Sequence, residues 1–194
     1  MIPIVKAIRS LAIRRPSGNS SVKDRLHALK NVASVAACVL LMASCASASY
    51  DVAALQASES GDQKAAIGFA KKEVGRFSGP DQCSRTETLN CGTLALAYGS
   101  LAGYQILDGD RAAGEGSFRS AKAALSLTDP KIRSSATAVV YRDVSEAFWK
   151  VGDRDRAIAV FKEGRAAGAD QYLYMSAAAH AVDQQQTKQS MGPH

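Results

Sequence analysis

The stretch from Tyr141 to Gly164 reads YRDVSEAFWKVGDRDRAIAVFKEG. Its first half places Tyr141, Val144, Ser145, Phe148 and Val151 at steps of three and four residues, which is one stripe along a helix. Its second half repeats that spacing with Ala157, Ile158, Phe161 and Gly164. Between them stands Gly152-Asp153. Glycine takes a left-handed φ without a steric penalty and closes one helix. Asp accepts from the free N–H groups that open the next. The stretch predicts a helix, a tight turn and a second helix.

The same dipeptide recurs at Gly61-Asp62 and Gly109-Asp110, 48 and 43 residues apart from one copy to the next. Each copy lies between two Ala-rich helical patterns. Hydrophobic residues make up 46% of the chain and charged residues 22%, which is too apolar for wholesale disorder. Aromatics are only 6%, and abundant small residues favour close helix packing over β-sheet. The expected fold class is all-α, one domain over residues 45–194. A plain helical bundle and a stack of helical hairpins both fit this pattern.

Residues 131–168 resemble a tetratricopeptide repeat (TPR), a helical hairpin of about 34 residues. Tyr141 stands at the first-helix aromatic, Val144-Ser145 at the Leu-Gly pair and Phe148 at the second aromatic. Gly152 falls at the turn, Ala157 at the small contact residue and Phe161 at the second-helix aromatic, with Gly164 where Ala is usual. Residues 92–129 match through Tyr98, Leu101-Ala102, Gly109, Gly114, Phe118 and Ala121, although Gln105 replaces an aromatic. They close on Leu127-Thr128-Asp129-Pro130, where Pro stops the helix. Longer helices absorb the excess of 43 over 34. A fainter unit covers 50–78 through Tyr50, Gly61 and Ala66, and a capping helix is expected over 171–186. The resemblance implies an α-solenoid whose first helices line a concave face that binds protein or peptide partners. The partner-binding positions it assigns are Arg142, Glu146, Trp149 and Lys150; Trp149 could instead pack near Tyr172 or Tyr174. The same face of the preceding unit carries Gly99, Ser100, Gly103 and Ile106, small enough to admit a peptide, a partner helix or the next helix of the fold.

The chain has 194 residues, a net charge of +6 and a pI near 9.2, yet residues 1–44 hold seven basic side chains against the single acid Asp24. The remainder is neutral, with 17 basic and 17 acidic groups, so nothing marks a nucleic-acid footprint. Val32–Met42 is an apolar run of 11 residues, short of the roughly 20 that span a membrane. Basic before it and small residues after it give the layout of a signal peptide over 1–44, with a true start near residue 22. Leu41-Met42-Ala43-Ser44-Cys45 resembles a bacterial lipobox, which implies lipidation at Cys45 and, with Ala46 following, an outer-membrane lipoprotein facing the periplasm. Cleavage near Ala48 would instead release a soluble periplasmic protein.

With Cys38 inside the signal and Cys45 acylated, Cys83 and Cys91 remain as a pair for a disulfide in an oxidising compartment. Their spacing makes neither a zinc ligand set nor a Cys-x-x-Cys redox motif, so no metal and no cofactor are expected. His-Glu-x-x-His, Gly-x-Ser-x-Gly and Walker patterns are absent. His180 reads as a packed or half-buried helix residue, and Asp108 and Asp110 as turn and capping residues. The expected function is non-enzymatic: an envelope-anchored scaffold or adaptor, in assembly of an envelope, secretion or pilus machine. The alternative is a periplasmic enzyme or enzyme subunit acting on cell wall or polysaccharide. Intact-mass analysis of the membrane fraction tests the anchor. The expected mass is that of a chain starting at a triacylated Cys45, and an unmodified chain from Ser49 would exclude lipidation.

Overall fold

The computed structural model describes residues 49–190, and every regular element among them is helical. The α-helices are α1 (Tyr50–Glu59), α2 (Gln63–Phe77), α3 (Cys91–Leu107), α4 (Arg111–Leu127), α5 (Pro130–Lys150), α6 (Arg154–Ala166) and α7 (Ala177–Ser190). A 3-10 turn, η1 (Gln171–Met175), precedes α7. Short turns make hairpins of α1 with α2, α3 with α4 and α5 with α6, while α3 packs on both α2 and α5. None of the described helices is long and apolar enough to cross a membrane.

Each Gly-Asp pair does two jobs. Gly152 has φ +85°; its N–H donates to Trp149 O at 3.1 Å and the Asp153 N–H to Phe148 O at 3.0 Å. This closes α5 with two of its otherwise orphaned carbonyls satisfied. The Asp153 carboxylate then accepts from Arg156 N at 3.2 Å and opens α6. The same pattern holds at Gly61-Asp62, with Ala65 N on Asp62 at 2.9 Å, and at Gly109-Asp110, with Ala113 N on Asp110 at 3.0 Å. A three-residue turn thus reverses the chain with its backbone groups paired.

The apolar stripes meet in one main core. Phe118, Phe148, Phe161, Val140, Val144 and Leu173 are fully buried within it, each contributing about 1.5–3 kcal/mol through burial. Tyr141 meets Phe118 edge-on at 5.1 Å. A smaller cluster of Ala54, Ala70 and Leu101 joins the first hairpin to α3. Ser145, buried among these groups, donates to Ala157 O at 3.0 Å and so ties α5 to α6 without an unpaired hydroxyl. Ion pairs join the second helices: Arg156 grips Glu115 through two bonds of 2.7 and 2.9 Å, and Lys122 reaches Glu163 at 2.8 Å. The Arg156 bond holds the Glu115 carboxyl below its ordinary pKa.

The Cys83 and Cys91 sulfurs lie 2.05 Å apart, at disulfide distance. Closing a loop this short stabilises by about 2.5 kcal/mol in the chain-entropy account. Pro130 has a different role from the one its sequence context suggested: it is the first residue of α5, where its missing N–H costs nothing. Asp129 caps that helix, accepting from Lys131 N at 2.8 Å. The helix expected over 171–186 is broken. Residues 171–175 make only a 3-10 turn, Ser176 is extended, and α7 starts at Ala177. The break stands because the new N-terminus is satisfied: Ser176 Oγ accepts from Ala179 N at 3.2 Å and Glu146 from Ala177 N at 2.6 Å.

Gly164 faces the Tyr141 side chain across the α5–α6 contact; a Cβ there would sit 2.7 Å from Tyr141 Cβ and 3.0 Å from Leu173 Cδ2. Ala would gain about 1 kcal/mol of helix propensity and lose about 1–3 kcal/mol to overpacking. Gly164→Ala is therefore expected to lower stability by up to about 2 kcal/mol in urea unfolding; a more stable variant would show that the two helices separate freely.

Candidate functional site

On α3, Ser100, Gly103, Tyr104 and Leu107 follow the spacing of one helix face, as do Arg142, Asp143, Glu146, Ala147 and Lys150 on α5. These stripes run beside the buried ones, and Ala147 belongs to both. Together with Leu55, Ser58 and Glu59 of α1 on one side, and Met175, Ala177 and His180 on the other, they line a cavity of about 630 Å³. The first helices of all three hairpins therefore share one groove with the C-terminal segment. Its floor depends on small residues. At Gly99 a Cβ would lie 3.3 Å from the Val140 backbone, so glycine lets α3 and α5 approach; at Gly103 the nearest atoms are 3.8 Å away and the groove opens.

The charged groups on α5 have different fates. Arg142 stacks on the Tyr172 ring, with its guanidinium carbon 4.4 Å from the centroid, and donates to the Tyr172 hydroxyl through Nη1, while its buried Nε has no partner. Glu146 is committed to the α7 N-terminus, where a carboxylate also meets the positive end of the helix dipole. Lys150 is exposed at the end of α5. Asp143 accepts no hydrogen bond and makes no ion pair with any described residue. Loss of water lifts its pKa to about 6; Asp51 and Glu146 push in the same direction, while Arg142 and Lys150 pull against it. Burial, aided by Asp51, Asp143 and Glu59, raises Tyr104 to about 12, so its phenol remains an O–H donor across the neutral range. Acidic groups thus gather around Tyr104, on the α1 side, and Arg142 is held on the α7 side.

Three of the four partner-binding positions assigned from sequence, Arg142, Glu146 and Lys150, line the groove. Trp149 does not. It is half-buried against the main core, with the Arg154 guanidinium 5.0 Å over its ring. Of the aromatic residues of η1, Tyr172 is engaged by Arg142 and Tyr174 meets Phe161 edge-on at 5.6 Å. Residue 149 sits about a quarter turn round α5 from the groove stripe. Gly99 and Ile106 face the interior and Ser100 and Gly103 the groove, so the small-residue face serves both the fold and the cavity. His180 is exposed at the rim, contrary to the packed or half-buried position expected. Asp110 is a cap, as its place in the turn implied. Cys45 and the segment before it lie outside the described residues.

Asp143 and Tyr104 were missed. Asp143 belongs to the 143–147–150 row, which the sequence displays at helical spacing, but only packing reveals that its carboxyl loses water. The aromatic sought at 105 stands one residue earlier, at Tyr104; Gln105 faces inward and accepts from Ser117 Oγ at 2.6 Å. Among the described residues no cluster of His, Cys, Asp and Glu suits a metal ion. No protein-family model, curated protein or solved structure matches this chain significantly.

The folded pKa of Asp143 exceeds its unfolded value near 3.8, so the folded state holds this proton more tightly. The ionised carboxyl then costs stability as pH rises from about 4 to about 6, and the full cost of about 1–3 kcal/mol stands above that range. Asp143→Asn should unfold at higher urea than wild type at pH 8, with the difference closing towards pH 4. A difference independent of pH would mean that the carboxyl is solvated.

Proposed function

We propose that this chain is a TPR-like scaffold or adaptor, held at the outer membrane through a lipid on Cys45, which binds protein partners in the groove between its first helices. The observation that carries this reading is the shared groove itself. Hairpins closed by the repeated Gly-Asp turn bring α1, α3 and α5 to one side, which is the side the TPR resemblance assigns to ligand binding. Ion pairs between α4 and α6 occupy the second helices. The disulfide-distance pair Cys83–Cys91 supports an oxidising compartment. Assembly of an envelope, secretion or pilus machine remains the process to which such an adaptor belongs; the support for that is fold-level analogy.

A second reading, an enzyme or enzyme subunit acting on cell wall or polysaccharide, draws on one observation. Asp143, in a cavity beside a phenol, has the raised pKa that a general acid uses. Glycoside chemistry usually requires a second carboxylate, and Glu146 is already bound to the backbone of α7. Binding accounts for more of the groove than catalysis does.

Affinity purification from cell envelopes, comparing wild type with Ser100→Phe, tests the binding reading. Phe at this position fills the groove without altering a charge. The expected result is loss of the partners that wild type retains, at unchanged abundance and membrane location. Identical partner sets would overturn the groove as the binding surface, and release of reducing ends from cell-wall polysaccharide, abolished by Asp143→Asn, would favour the enzyme.

A further inference from the structure

The proposed binding groove contains a carboxylate, Asp143, that makes no hydrogen bond and no ion pair, and on which Arg142 and Lys150 act only without direct contact. Arg142 is held against Tyr172, Glu146 accepts from the α7 backbone, and the described ion pairs lie elsewhere, between Arg76 and Glu73, Arg111 and Asp153, Lys122 and Glu163, and Arg156 and Glu115. Asp143 has none of these partners, and neither has Glu59 on the facing helix α1. A half-buried carboxylate that has lost part of its hydration, without a direct partner in return, is a cost to the free protein. A ligand that supplies a direct cationic partner recovers it, whereas a ligand carboxylate on this side of the groove would meet Asp143 and Glu59 together.

Resting on the groove-binding reading, we infer that the groove takes an extended peptide segment of a partner protein that places a lysine or arginine side chain on Asp143, beside Tyr104 and Glu59. A free amine satisfies Asp143 alone. The groove has two further demands, at its opposite sides: Leu55 on α1 is 52% exposed and Met175 of η1 is 63% exposed. A peptide crossing from α1 to η1 covers both apolar side chains and delivers its cation between them, over α5. The Tyr104 phenol, an O–H donor, suits a peptide carbonyl on the same path.

Selection from a random 12-residue peptide library displayed on phage, with the full-length chain in detergent as bait, tests this. Enriched peptides should share a Lys or Arg. Their affinity should fall about tenfold or more for Asp143→Asn and equally when that peptide cation is replaced by Gln, with no further loss when both changes are combined. Because Asp143→Asn is expected to stabilise the fold, a melting curve separates lost binding from lost structure. Enriched peptides without a common cation that still fail to bind Ser100→Phe would overturn the cation site and leave the groove reading standing. Peptides indifferent to both variants, or no enrichment, would overturn both. A wild-type dimer by light scattering that Ser100→Phe dissolves would assign the groove to a second copy of the chain and overturn the peptide partner.

Discussion

A helix that ends inside a folded chain leaves four N–H and four C=O groups without helical partners, and the described residues form seven α-helices to finish. The Gly-Asp turn meets that demand within three residues. At Gly152 a left-handed φ directs two N–H groups back onto α5, and Asp153 turns its carboxylate forward onto α6. Because the connection is so short, α5 and α6 must lie side by side. Their apolar stripes, which carry Tyr141, Val144, Phe148, Ala157 and Phe161, then face each other and close the core. The same turn at Gly61 and Gly109 imposes the same relation on the other two hairpins.

The groove follows from this arrangement. Helix α5 buries one face against α6 and another against α3, which leaves the row Arg142, Asp143, Glu146 and Lys150 directed to the first-helix side. Gly99 sets how closely α3 and α5 approach, and the break at Ser176 brings α7 across the end of the cavity. One carboxylate on α5, Glu146, opens α7; its neighbour one turn back, Asp143, is desolvated by the same packing and receives no partner. Two acids three residues apart thus differ because the backbone of α7 reaches only one of them.

Much of the architecture was legible because it rests on local rules. Helical spacing identified Tyr141, Phe148 and Phe161 as core, and the Gly-Asp pairs marked three turns whose dihedrals and caps need nothing from outside the pair and the flanking helices. The cysteine count, with Cys38 and Cys45 set aside, left Cys83 and Cys91 as a pair, and their sulfurs lie at disulfide distance. Where the reading failed, a distant contact had intervened. Residues 171–186 form a good helical pattern, but Glu146, 31 residues earlier, supplies an acceptor that lets α7 begin afresh at Ala177. Trp149 looked like an anchor by residue type, yet its position on α5 directs it to the core and Arg154.

The sequence by itself determined the helical class, the hairpin turns and the aromatic centre of the core, since spacing, glycine dihedrals and capping act over a few residues. Only the tertiary structure decided which polar residues would face one cavity and which of those would go unpaired. The environment of a side chain is made by the elements that pack over it, and for Asp143 those include α1, more than 80 residues away in the chain. Burial by remote helices, with the dielectric change it brings, has no signature in the residues next to Asp143.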